Sequence, residues 1–116
     1  MVKALIICCE KIRDRVCIGC ERCLTAARER LGNFEKFDKV DIVGILGCGG
    51  CPGFVIPRLK LYKKWIEGFD DFDVVFIGNC IKAATSMGGC PMNLDKLVET
   101  VKNFTNKEVI VGTHPW

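Results

Sequence analysis

Two cysteines separated by two glycines, Cys48-Gly49-Gly50-Cys51, followed by Pro52-Gly53, are the residues best placed to do chemistry in this chain. An apolar stretch, Val40 to Leu46, precedes them and residues at helical spacing follow. A strand is therefore expected to feed a tight glycine turn that opens a helix. The amides and dipole of a helix start favour negative charge, which biases a cysteine there towards thiolate, the form that attacks disulfides and binds metals. The glycines let both sulfurs approach one centre. Pro52 suits a first helical turn, where its missing N–H has no partner to lose.

Nine cysteines and one histidine make up the soft-ligand inventory. Cys17, Cys20 and Cys23 have the C-x₂-C-x₂-C spacing of cluster-binding ferredoxins, without the nearby Cys-Pro that completes that run, so a fourth ligand must come from elsewhere. Zinc tolerates the same spacing. Gly88-Gly89-Cys90-Pro91 repeats the end of the central motif, which marks Cys90 as a ligand. Cys80 closes an apolar run and reads equally as core filler or ligand. Cys8 and Cys9 would face opposite sides of a strand; Cys9 is taken as the ligand and Cys8 as a small buried residue. His114 is the sole histidine. The candidate metal set is Cys9, Cys17, Cys20, Cys23, Cys48, Cys51, Cys80, Cys90 and His114. Lys11, Arg13, Arg15 and Arg22 flank the triplet, either as a solvated basic loop or as charge that lowers thiol pKa and draws an anionic partner.

Composition narrows the setting. At 116 residues one domain with a modest core is expected. A net charge of +3 is too mild for a nucleic-acid partner, and no apolar run approaches the roughly 20 residues a membrane helix needs. Met1 to Cys8 carries one charge, a short apolar run and no cleavage site, so it reads as a first strand instead of a signal peptide. The expected location is cytoplasmic, where clustered cysteines bind metal or do redox chemistry. No Walker or dinucleotide fingerprint is present.

The elements that must position these thiols alternate along the chain. Lys3 to Cys9 reads as a buried strand. A helix is expected from Glu21 through Leu24, Ala27 and Leu31, closed by a left-handed Gly32. Val40 to Leu46 is the second strand. Val55, Leu59, Tyr62, Ile66 and Phe69 then recur at helical spacing. The third strand is Asp73 to Asn79, followed by a loop of about a dozen residues, long enough to suspect function. Asn93 is expected to cap a third helix with a core face of Leu94, Leu97, Val98, Val101 and Phe104. Lys107 to Gly112 is the fourth strand. Phe37 to Val43 is echoed by Phe69 to Val75, and the same offset carries Cys48 onto Cys80; a duplicated unit and common geometric demand explain this equally well.

Such alternation predicts an α/β fold, a small three-layer sandwich on a four-stranded parallel sheet of flavodoxin-like or Rossmann-like kind, in the order 2-1-3-4. All strands then end at one edge, where ligands bind in such folds, and the cysteines and His114 follow those ends.

Together these residues give the chain a resemblance to the CGGC-domain family of small prokaryotic proteins. The likeness rests on Cys9 at a strand end, the Cys17 to Cys23 cluster before Ala26-Ala27-Arg28, and Cys48 to Gly53. It continues through Cys80-Ile81, Cys90-Pro91 and Gly112-Thr113-His114. The resemblance implies a metal-binding domain, with zinc the usual suggestion, and brings no established reaction. With a single histidine, any site must be mainly sulfur.

Three functions are therefore expected to compete. The first is a metal-binding protein using thiolates, zinc ahead of an iron–sulfur cluster. The second is a thiol–disulfide protein in which Cys48 attacks, Cys51 resolves and a redox partner protein is served. The third is a non-catalytic metal or redox sensor whose loops order on binding.

Overall fold

The computed structural model describes residues 2–12, 15, 17–49, 55–65, 72–86 and 93–114, with Trp65 as backbone only. In chain order the elements are β1 (Val2–Cys8), α1 (Glu21–Glu29), a 3-10 helix (Gly32–Lys36), β2 (Val40–Gly47) and α2 (Val55–Trp65). They continue with β3 (Val74–Ile77), α3 (Asn79–Ser86), α4 (Leu94–Thr105) and β4 (Glu108–Val111). The four strands form one parallel sheet in the order β2-β1-β3-β4, as expected for this α/β class. Among the described residues no helix is long and apolar enough to cross a membrane.

β1 and β3 are the inner strands, and their residues are apolar on both faces because helices cover both sides. Leu5, Ile7, Val75 and Ile77 pack with Val55 and Leu59 of α2, Ile81 of α3, and Leu97 and Val101 of α4. On the other face Ala4, Ile6, Val74 and Phe76 meet Cys23, Ala26 and Ala27 of α1 and Phe34 of the 3-10 helix. Phe34 lies 4.3 Å from Phe76, ring centroid to centroid, with no exposure of either side chain. Full burial of such a side chain stabilises the fold by about 1.5–3 kcal/mol.

β2 is an edge strand with one irregularity. Ala4 pairs with Ile42 but Leu5 pairs with Gly44, which leaves Val43 as an extra residue. The Tyr62 hydroxyl donates to the Val43 carbonyl at 3.2 Å. Its ring lies so close over Gly44 that a Cβ there would sit 2.7 Å from the hydroxyl oxygen.

Several local expectations are corrected. α1 ends on Arg30 (φ 57), two residues before Gly32, and the Arg30 Nε donates to the Phe37 carbonyl at 2.7 Å, which helps offset a left-handed non-glycine. α1 buries Cys23, Ala26 and Ala27, small residues that let it sit close to the sheet, while Leu24 and Leu31 are 38% and 37% exposed. The stretch after β3 expected to be a loop begins with the helix α3, held by burial of Ile81 and Ala84. Asn93 caps α4 as expected, accepting from the Lys96 N–H at 3.0 Å; Leu97 and Val101 are buried, and Leu94, Val98 and Phe104 pack against the core. Ile66 and Phe69 lie outside the described residues.

Candidate thiol site at the end of the sheet

The chain after β1 runs to β2 on one side, and the chain after β3 runs to β4 on the other. The connections diverge there, so a crevice opens beyond the ends of the two inner strands, where ligands bind in parallel α/β sheets. Cys9 follows β1 directly. Gly78 follows β3, its N–H donates to the Ile7 carbonyl at 2.8 Å, and Cys80 is the second residue of α3. A Cβ on Gly78 would meet that carbonyl at 3.1 Å and the Cys80 sulfur at 3.2 Å, so glycine is what lets α3 start against β1. The Cys9 N–H then donates to Cys80 Sγ at 3.0 Å.

From the other face, the chain turns through Gly19 (φ 62) and Cys20 (φ 58) into α1, whose third residue is Cys23. A cavity of about 680 Å³ opens between α1, α3 and the end of β4. Its lining includes Cys17, Arg22, Cys23, Cys80, Lys82 and His114. Among the described residues no carboxylate lines it, and Arg22 and Lys82 bring positive charge to the cavity that holds the thiols.

Both Cys23 and Cys80 stand in the first turn of a helix, which favours thiolate, yet burial prevails. Loss of solvent pushes the Cys80 thiol up to about 11, with the Cys9 amide pulling the other way and the neighbouring Cys23 and Cys9 thiols adding to the rise. Burial likewise raises Cys23. The Thr113 hydroxyl, 3.0 Å from its sulfur, opposes the rise, and Cys17 and Cys20 add to it. At neutral pH these two sulfurs therefore carry protons.

Two asparagines, which the sequence reading did not single out, fix the end of β4. Asn33 Nδ2 donates to the carbonyls of Val111 (2.9 Å) and Gly112 (3.1 Å). Asn79 Oδ1 accepts from the Thr113 N–H at 2.9 Å, and its Nδ2 donates to the His114 carbonyl at 2.7 Å and lies 3.1 Å from His114 Nδ1. Gly112, at φ +98, passes between them; a Cβ would stand 3.1 Å from Asn33 Nδ2 and 3.3 Å from Asn79 Oδ1. The available signal was position alone: each asparagine directly follows a glycine at an element boundary.

The predicted ligands are thus distributed as follows. Cys17, Cys23, Cys80 and His114 line one cavity, and Cys9 touches its edge through Cys80. Cys20 is buried at the N-cap of α1. Cys48 follows β2, its N–H donating to the Cys8 carbonyl at 2.9 Å, and it packs with Cys9 in the core beneath α2. Cys51, Cys90, Arg13 and the rest of residues 50–54 lie outside the described residues. Among the described residues, no three Cys, His, Asp or Glu side chains are grouped closely enough to hold a metal ion.

A protein-family model described as the CGGC domain matches residues 3–114. No curated protein and no solved structure matches the chain.

Proposed function

The chain belongs to the CGGC domain family, and from that membership and the cavity at the sheet edge we propose that it binds a thiophilic metal ion, zinc first, through cysteine thiolates. One observation carries the reading: Cys17 and Cys23, on the approach to α1 and in its first turn, and Cys80 of α3 border one cavity that Arg22 and Lys82 also line. The donor type fits: zinc takes four nitrogen or sulfur ligands, and Cys17, Cys23 and Cys80, which are not grouped closely enough to hold an ion as they stand, would draw together to supply the sulfur. Zinc bound there would supply a compact positive charge that holds the start of α1 and the start of α3 together.

The residues themselves have defined tasks. Cys23 and Cys80 must release their protons for metal to enter, so binding is coupled to pH. Arg22 and Lys82 offset the negative charge left on the sulfurs. The Cys9 N–H remains directed at Cys80 Sγ and stabilises its anionic form. An iron–sulfur cluster also takes four cysteines and is the alternative occupant.

Elemental analysis of protein prepared without oxygen tests the proposal. Stoichiometric zinc in colourless protein, lost in Cys23→Ser and in Cys80→Ser, is expected. A brown protein with stoichiometric iron and sulfide replaces zinc with a cluster. Zinc content unchanged in both variants overturns the site.

A further inference from the structure

The amide of Asn79 is oriented without ambiguity. The Thr113 N–H can only donate, so the atom 2.9 Å from it must be the amide oxygen. The His114 carbonyl can only accept, so the atom 2.7 Å from it must be the amide nitrogen. These bonds agree with each other and leave the second Nδ2 hydrogen for His114 Nδ1, 3.1 Å away. Facing an N–H donor, Nδ1 must offer its lone pair. In the neutral ring the proton then belongs on Nε2.

We infer that Asn79 holds His114 as the Nε2–H tautomer and keeps the imidazole out of the ligand set, so that the metal centre of this protein is built from sulfur alone. The second half of this inference rests on the metal-binding reading above; the first half does not. A ligating histidine coordinates through one ring nitrogen and donates the other N–H to a carbonyl or carboxylate. Asn79 presents the opposite polarity, a donor where an acceptor is needed. Coordination through Nε2 would move the proton to Nδ1 and set two N–H groups against each other. Coordination through Nδ1 would displace the amide that also ties the His114 carbonyl to α3. Either route breaks the brace that fixes the end of β4 beside the cavity. The chemical consequence is a preference for ions that accept thiolate-only coordination.

The chain has one histidine, so a single set of ring signals reports on it. Protein labelled with ¹⁵N-histidine is examined by long-range ¹H–¹⁵N correlation before and after addition of zinc. The expected spectrum has a pyridine-like Nδ1 and a pyrrole-like Nε2, unchanged by a full equivalent of zinc. The reverse pattern without metal overturns the Asn79 assignment, and loss of the Nε2 proton on adding zinc overturns the sulfur-only centre. His114→Ala should keep the zinc that Cys23→Ser and Cys80→Ser lose; loss of zinc from His114→Ala together with the Nε2 change counts against the inference. Should the protein take up no zinc while the Nε2–H pattern is seen, the metal reading and the sulfur-only centre both fall and the tautomer assignment is upheld. Asn79→Asp, which puts an acceptor opposite Nδ1, should move the proton to that nitrogen; an unchanged tautomer in this variant shows that Asn79 does not set it.

Discussion

The backbone N–H of Cys9 donates to the sulfur of Cys80 across 3.0 Å, joining the end of β1 to the first turn of α3. This bond favours the thiolate, but burial outweighs it, and the Cys80 thiol titrates at about 11 against an ordinary value of 9.0. Below pH 9.0 both the folded and the unfolded chain hold this proton, and its contribution to stability is fully present. As pH rises, the unfolded chain loses the proton first and stability falls until about pH 11. The loss should be on the order of 2 kcal/mol after allowance for partial exposure. Denaturant midpoints measured across this window should fall less steeply for Cys80→Ala than for the unaltered protein.

Removing the hydroxyl that opposes the rise at Cys23 should raise that thiol further. Thr113→Val keeps the volume and deletes the contact at 3.0 Å. At fixed mildly alkaline pH, alkylation of Cys23 followed by peptide mass analysis should become slower, with little change at Cys17. Faster alkylation would show that the hydroxyl shields the sulfur sterically instead.

Zinc uptake should strengthen as pH increases through the neutral range, because Cys23 and Cys80 both begin as thiols. Competition with a chromophoric chelator at several pH values measures this directly. Protons released on binding can be counted in weakly buffered solution. Affinity independent of pH would mean that neither sulfur is a ligand.

Gly44 and Tyr62 form a coupled pair. Gly44→Ala places a methyl 2.7 Å from the Tyr62 hydroxyl oxygen and should destabilise the chain by about 1–3 kcal/mol. Tyr62→Phe removes the bond to the Val43 carbonyl, which should cost about 0.5–1.5 kcal/mol. With Tyr62→Ala already present, Gly44→Ala should add little, and a double-mutant cycle by urea unfolding reads that non-additivity.

Gly112→Ala introduces strain at φ +98 and presses on both asparagines that hold the end of β4. A loss of about 1–3 kcal/mol is expected. The single histidine's ring signals should shift as well, because Asn79 Oδ1 lies 3.3 Å from the new methyl position. An unaltered imidazole spectrum with full stability would contradict this account.

The architecture was legible because its signals are local and strong. Runs such as Leu5-Ile6-Ile7 and Val74-Val75-Phe76 can only be inner strands, and parallel strands send Cys9, Cys48, Cys80 and His114 to one edge by direction alone. α3 escaped notice because Asn79, Cys80, Ala83, Ala84, Thr85 and Ser86 have no strong helical pattern; tertiary burial of Ile81 and Ala84 holds it. A helix starting at Glu21 was legible, but the face it buries was not: close approach to the sheet favours Cys23 and the alanines. The candidate site was legible as a list of sulfurs, and its grouping was not. Which thiols share a cavity depends on Gly78 and on the Gly19–Cys20 turn, and the polarity opposite His114 depends on Asn79, 35 residues away.

The inner position of β1 has a consequence for the newborn chain. Its first partner, Val40–Gly47, emerges early, but Val74–Ile77 follows much later, and until then one flank of β1 has no neighbour. During that interval Cys8 and Cys9 lack the cover that buries them in the finished fold. A ribosome-bound fragment ending before residue 74 should therefore be readily oxidised, so the synthesis of this protein demands reducing surroundings more strictly than its folded form does.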